Sequence, residues 1–314
     1  MTSMPDTGNG NLLWTLGVAG VVVGIGAALM GGRKEDKKKE EESWDSHVGK
    51  EHGSLEEIFP EKLYRLEAPG CEYGPPTRNM IIYRILPSKQ TEDKPRLLIF
   101  NAIAVGEHVL QDILQLGTPT VMVIPNDMHR CCAAVWKKRF PEISVVCPPK
   151  AKPKAEEVVN VSCRLLQELA MEPEWMDWIT VRHIDGWVEF EDVLEVKLSD
   201  TKKAMIVCDL LFTIPYQQDS GMGGKFIQWL FDSNVDSSNN DDNTQLTIPK
   251  VSRVARIFGI ADWKKAEQWY RNYADQSVYA ILVGHGPPVV ELDATKGCTD
   301  ALVGVADQLV KPRW

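Results

Sequence analysis

Three stretches of this chain place metal-ligating or proton-transferring side chains at the ends of apolar runs. In Thr120 to Phe140, TVMVIPNDMHRCCAAVWKKRF, the β-branched run Val121, Met122, Val123, Ile124 is stopped by Pro125 and followed by Asp127, His129, Cys131 and Cys132. Asp209 lies near the end of AMIVCDLL (204–211), and His285 near the end of AILVGHG (280–286). Carboxylate, imidazole and thiolate are the donors that hold zinc, and a catalytic zinc takes three of them with one position left for water. Asp209 and His285 would supply two, with His129, Asp127, Cys131 or Cys132 as the third. The neighbouring Asn126 and Met128 are poor ligands for a borderline-soft dication. Arg130 is a fixed cation that would repel a metal and could instead pair with Asp209.

The pattern around these residues predicts the elements that must position them. Leu63 to Leu66, Met80 to Leu86 and Leu97 to Phe100 read as an antiparallel start, broken by the proline- and glycine-rich turn Pro69 to Pro76. Val109, Ile113 and Leu116 recur at helical spacing before Gly117. A strand at Val121 to Ile124, a helix at Met128 to Phe140 and a strand at Ile143 to Cys147 then alternate as a parallel α/β portion does. Loops at the carboxyl ends of such strands are where α/β folds build ligand sites. Pro148 to Ala155 reads as a surface loop, Val158 to Leu169 as partly helical, and Trp175 to Asp185 as leading into a strand on which His183 faces solvent. Val251 to Phe258 and Trp263 to Tyr273 carry aromatic mass at helical spacing and should pack a helical layer on the sheet, with a last helix near Thr299 to Val310. DSGMGGK (219–225) lacks the spacing of a phosphate loop and reads as a turn. DSNVDSSNNDDNTQ (232–245) reads as a solvated loop near the cleft, which could act as a lid.

This order of elements, with Asp209 and His285 at two strand ends, resembles the metallo-β-lactamase-like superfamily over roughly Leu63 to Pro288, in particular a divergent branch of membrane or organelle proteins. The resemblance implies a four-layer αββα sandwich, two mixed sheets between outer helices. In active members a Thr-His-x-His-x-Asp-His loop, a later His, a bridging Asp and a last His make two zinc sites. The alignment it suggests puts Asn126, Met128, Arg130 and Cys131 at ligand positions, so these are degenerate. Asn101 stands where many members have a structural Asp. Asp209 fits the bridging carboxylate and His285 the closing imidazole.

Residues Leu12 to Met30, LLWTLGVAGVVVGIGAALM, are 19 uncharged residues. At about 1.5 Å per residue they suffice for a bilayer core of about 30 Å. The segment lacks the basic start of a cleaved signal, so an uncleaved transmembrane helix is expected. Arg33, Lys34, Lys37, Lys38 and Lys39 follow it, which by the positive-inside rule leaves the folded domain on the cytoplasmic or organelle-matrix face. Gly17, Gly20 and Gly24 form a small-residue seam suited to close helix packing. The anchor also resembles those of mitochondrial outer-membrane proteins, with other intracellular membranes and the plasma membrane as alternatives. The expected organisation is a tail (1–11), a transmembrane helix (12–30), a charged linker (31–57) and one globular domain (58–314).

The net charge of -9, without a dense basic patch beyond the anchor flank, argues against nucleic acid as a partner. Seven cysteines, several in apolar runs, argue against a disulfide framework. Two functions follow, with a non-enzymatic ligand or lipid sensor using the same cleft as a third. In the first, a catalytically inactive domain needing no cofactor serves as a structural or adaptor subunit of a membrane assembly, with protein partners. In the second, Asp209 and His285, joined by His129 or Asp127, hold zinc or another divalent metal, and the protein hydrolyses an ester, thioester or phosphodiester.

Overall fold

A computed structural model describes residues 43–48, 52–68, 77–86, 94–215, 225, 228–232, 248–274, 277–291 and 297–310. The expected tail 1–11, the transmembrane segment 12–30 with Gly17, Gly20 and Gly24, the basic flank Arg33 to Lys39, the turn Pro69 to Pro76, most of the 219–225 turn and most of the 232–245 loop lie outside these residues. No helix among the described residues is long and apolar enough to cross a membrane.

Seven strands form the first sheet in sequence order: β1 (Glu56–Phe59), β2 (Leu63–Ala68), β3 (Arg78–Ile85), β4 (Arg96–Phe100), β5 (Thr118–Val123), β6 (Ser144–Cys147) and β7 (Arg164–Leu165). Pairing is antiparallel as far as β4 and parallel from there to β7. Parallel neighbours need crossovers, and the helices α2 (Glu107–Leu116), α3 (Ala133–Arg139) and α4 (Lys152–Val159) lie in the three connections. The expected surface loop at Pro148 to Ala155 is instead a 3-10 turn (Pro149–Ala151) running into α4. Pro149 and Pro153 fall in helical first turns, where a fixed φ favours the helix and the missing N–H costs nothing.

After α5 (Leu166–Ala170) comes a second sheet of five strands, ordered β12-β11-β10-β9-β8. Its members are β8 (Ile179–Arg182), β9 (Val193–Lys197), β10 (Lys203–Ile206), β11 (Val278–Leu282) and β12 (Val289–Val290). The pair β10/β11 is parallel, so both strands end on the same side. Among the described residues this half also holds the helices α6 (Arg253–Phe258), α7 (Trp263–Ala274) and α8 (Gly297–Val310).

Side chains alternate along each strand, and here both faces are apolar. Leu98, Phe100, Val121, Val123 and Val146 meet Leu194, Val196, Ile206, Ala280 and Leu282 in one core between the sheets. Leu97, Ile99, Met122 and Val145 face outward onto Leu110, Ile113, Val135 and Trp136 of the helices. Val193, Met205, Ile281 and Val283 do the same onto Tyr270, Tyr273, Leu302 and Val305. The layers therefore run helix, sheet, sheet, helix. Asn79 fastens the sheets together at one end: its backbone N–H reaches Gly284 O at 2.8 Å, and its Nδ2 reaches Val283 O at 2.8 Å and Gly286 O at 2.6 Å.

Part of the expected 31–57 linker is docked on the domain. In the short helix α1 (Trp44–His47), Trp44 packs on Trp136 with ring centroids 5.4 Å apart and donates from Nε1 to Val105 O at 2.9 Å. His52 Nε2 accepts from the Gly106 N–H at 2.9 Å.

Candidate metal centre

The centre forms where β5, β10 and β11 end. Ile124 continues the ladder by donating to Val146 O, and Pro125, with no N–H, ends it. The next side chain, Asn126, is fully buried, and its Oδ1 accepts from the backbone N–H of Met128 (2.9 Å) and of His129 (3.1 Å). This side-chain turn competes with helix formation. The helix expected from Met128 therefore starts only at Ala133, with Cys132 at its N-cap. Freed from a helical surface, His129 turns into the cleft while Met128 stays half exposed.

Both histidines are oriented by oxygen acceptors. His129 Nδ1 lies 3.2 Å from Asn101 Oδ1; Asn101 takes a left-handed backbone (φ 56), and its Nδ2 donates to Asn79 O at 2.8 Å. With that amide orientation fixed, Nδ1 of His129 carries the hydrogen. His285 Nδ1 lies 2.8 Å from Thr77 O and donates likewise. In the neutral rings both Nε2 atoms thus present lone pairs, and they are 3.1 Å apart. Asp209 closes the triangle, with Oδ2 3.1 Å from His129 Nε2 and Oδ1 3.3 Å from His285 Nε2. Phe212 stacks on His285 at 5.6 Å, shielding one side of the ring.

Four acceptors converging in a buried space require a cation among them, either a proton or a metal. Burial opposes charge on His129, but the Asp209 carboxylate, with Glu191 behind it, outweighs burial and raises its pKa. Burial would likewise raise Asp209, yet His129 and His285 hold it well below the carboxylate range. The donor atoms of His129, Asp209 and His285 all lie within 4.8 Å of one another. Two imidazoles and one carboxylate are a donor set that suits zinc. Their Nδ1 tethers are the outer-shell bonds that fix ring orientation in such sites.

A further buried carboxyl, Glu191, stands behind Asp209 without any motif in the sequence that marks it. It is buried, accepts from the Cys208 N–H, and accepts through Oε2 from the Asp209 N–H (2.8 Å) and from Asn126 Nδ2 (3.0 Å). Asn126 Nδ2 also donates to Asp209 Oδ2 at 2.8 Å. Burial and the neighbouring Asp209 charge push the Glu191 carboxyl up to about 8. Strand pairing brings it there: Leu194 pairs with Ile206 in an antiparallel ladder, and continuing it puts Glu191 level with Asp209.

The remaining sequence candidates are elsewhere. Asp127 forms an ion pair with Lys154 at 2.6 Å. Arg130 donates to the Asp127 carbonyl, which corrects the expected pairing with Asp209. Cys131 packs against the first outer core, and Cys132 Sγ lies 3.9 Å from the Arg78 guanidinium. Cys208 turns into the core between the sheets, and burial pushes its thiol up. His183 is exposed and 4.0 Å from Asp192, clear of the centre.

No family model matches this chain, and no curated protein matches it. Among solved structures, a DIM-1 metallo-β-lactamase exposed to ceftazidime is similar, with 11% identity and TM-score 0.46 over 82% of this chain and 99% of that one. TMB-1 has 10% identity and TM-score 0.46 over 82% and 100%. The metallo-β-lactamase FIM-1 from Pseudomonas aeruginosa, in a mono-zinc form, has 11% and 0.43 over 81% and 95%. At these identities and scores the likenesses assign no residue role here.

Proposed function

We propose that the domain is a metal-dependent hydrolase-type domain of the metallo-β-lactamase-like kind, holding one divalent ion, zinc first, on His129, Asp209 and His285. The observation that carries this reading is the pair of Nε2 atoms aimed at Asp209, each ring tethered through Nδ1 to an oxygen. Zinc bound there would supply Lewis acidity, polarising a carbonyl or phosphoryl oxygen and making water acidic enough to ionise near neutral pH. The protein's own part is to hold three donors in fixed directions through Asn101, the Thr77 carbonyl and Glu191, and to keep solvent off His285 with Phe212. Esters, thioesters and phosphodiesters are the substrate class. Arg130 donates to the Asp127 carbonyl.

The test is metal content of the full-length chain, purified without chelator or affinity metal, beside His129→Ala and Asp209→Ala variants and a hydrolysis panel of the three substrate types. About one ion per chain, lost with either substitution together with turnover, is the expected result. A folded parent without metal overturns the reading.

A second reading rests on the same geometry, with the Asp209 carboxylate 3.1 Å from His129 Nε2 and 3.3 Å from His285 Nε2. A proton shared among His129, Asp209 and His285 would satisfy the centre without metal, leaving a catalytically silent structural or adaptor subunit of a membrane assembly. Membrane attachment through residues 12–30, on a mitochondrial or other membrane with the domain on its cytoplasmic or matrix side, belongs to both readings and rests on the sequence. Retention of the full chain in the pellet after alkaline extraction supports it, and release into the supernatant overturns it.

A further inference from the structure

Beside the three proposed ligands is a second group of donors, Glu191, Cys208 and Asp209, whose ligating atoms also lie within 4.8 Å of one another. Two buried carboxylates this close ordinarily call for a cation between them or a proton on one of them. Here the space is taken by a neutral group. Asn126, itself fully buried, donates one Nδ2 to both carboxylates, at 3.0 Å to Glu191 Oε2 and 2.8 Å to Asp209 Oδ2. Glu191 also accepts from the backbone N–H groups of Cys208 and Asp209, so with Asn126 in place both acceptor sites of Oε2 are taken. Cys208 packs in the core between the sheets, where burial pushes its thiol up and keeps it protonated, a poor ligand.

We infer that the Asn126 carboxamide stands in for a second cation and closes the Glu191/Asp209 pair to metal, so that the centre takes one ion and no more. The inference rests on the one-metal reading above and adds its stoichiometry and the residue that sets it. The amide suits the task because its two N–H donors bridge two acceptors without adding charge, while its Oδ1 holds the loop that aims His129. A carboxylate at 126 has the same shape and keeps that Oδ1 acceptor. It removes the bridging donor and leaves three carboxylates, an oxygen-rich set for a divalent cation.

The experiment is native mass spectrometry of the full-length chain titrated with zinc and, separately, manganese. It compares the parent, Asn126→Asp, Asn126→Ser and the Asn126→Asp/Glu191→Gln double variant, each shown folded by circular dichroism. The expected stoichiometry is one ion in the parent, two in Asn126→Asp, and one again in the double variant. Asn126→Ser keeps an oxygen for the loop and lacks the bridging amide, so it is also expected to take two and serves if Asn126→Asp fails to fold. A second ion in the parent, or only one in a folded single variant, overturns the inference while leaving the His129/Asp209/His285 centre intact. A parent that binds none overturns that centre, and this inference with it.

Discussion

Asn101 holds His129: its Oδ1 is 3.2 Å from the imidazole Nδ1, and its own Nδ2 is spent on the Asn79 carbonyl. That chain of two bonds fixes which nitrogen faces Asp209. Asn101 also has φ 56, a backbone region that Asn tolerates better than most residues. Asn101→Ala should therefore weaken zinc binding by about 10- to 100-fold, the usual effect of losing an outer-shell partner, and cost about 1–3 kcal/mol of stability from the unpaired buried groups. Asn101→Asp keeps the acceptor and should retain most of the affinity. Competition against a chromophoric chelator measures both; equal affinity in parent and Asn101→Ala would show that Asn101 does not position the ring.

Most of the scaffold could be read from patterns. Runs such as LLIF and TVMV are apolar on both faces because both sheets are covered, and Gly117 marks the end of α2 as expected. Asp209 and His285 were visible because each follows an apolar strand. His129 was ambiguous, since Met128, Cys131, Cys132, Val135 and Trp136 keep helical spacing although the helix begins at Ala133. What decides the matter is the Asn126 side chain capturing two N–H groups, an effect that periodicity does not contain. Glu191 lies in EFED (189–192), a stretch to which the sequence pattern assigns no element. Its partners lie 17 and 18 residues on and meet it only through strand pairing.

Stability of the metal-free protein should fall as pH rises from about 4.5 to about 8. Glu191 has its carboxyl pushed up to about 8 in the folded state, against an unfolded value of about 4.3. Between these values the folded chain binds more protons than the unfolded one, so raising pH favours unfolding. His129, also raised, contributes stability that is complete below the ordinary histidine range and is lost as pH passes its folded value. Asp209 acts oppositely, but only in strong acid, because its folded pKa is depressed. Metal binding displaces protons from ligands, so its stabilisation should grow with pH. Thermal unfolding from pH 5 to 8.5, with chelator and with zinc, should give diverging curves; parallel curves would contradict the assignment.

Gly286 follows His285 with φ 98, in the left-handed region, and an added Cβ would lie 2.5 Å from the Thr213 carbonyl carbon. The obstruction is backbone, which cannot swing aside as a side-chain end can. Its carbonyl also accepts from Asn79 Nδ2, so a shift here moves the tie between the sheets. Gly286→Ala should destabilise by about 2–4 kcal/mol, combining φ strain with overpacking, and should weaken metal binding through displaced His285. Chemical denaturation and the zinc affinity of the folded fraction check the two effects separately.

Trp44 precedes the first strand, yet it behaves as part of the core. Its ring packs on the fully buried Trp136, its Nε1 reaches the Val105 carbonyl, and the Arg139 guanidinium lies over its face at 4.8 Å. Trp136 in turn donates to Ile103 O at 2.9 Å, so the contact leads to the loop after β4 that contains Asn101. Trp44→Ala removes a large partly buried ring, an aromatic pair and a cation–π contact, together worth about 2–4 kcal/mol. Trp44→Phe keeps the ring and loses the Nε1 bond, for about 1 kcal/mol. Denaturant midpoints should therefore order parent, Trp44→Phe, Trp44→Ala, with unchanged m-values if the unfolded state is unaffected. A parent and Trp44→Ala with the same midpoint would mean that the 43–48 segment is only laid against the domain and contributes nothing to its fold.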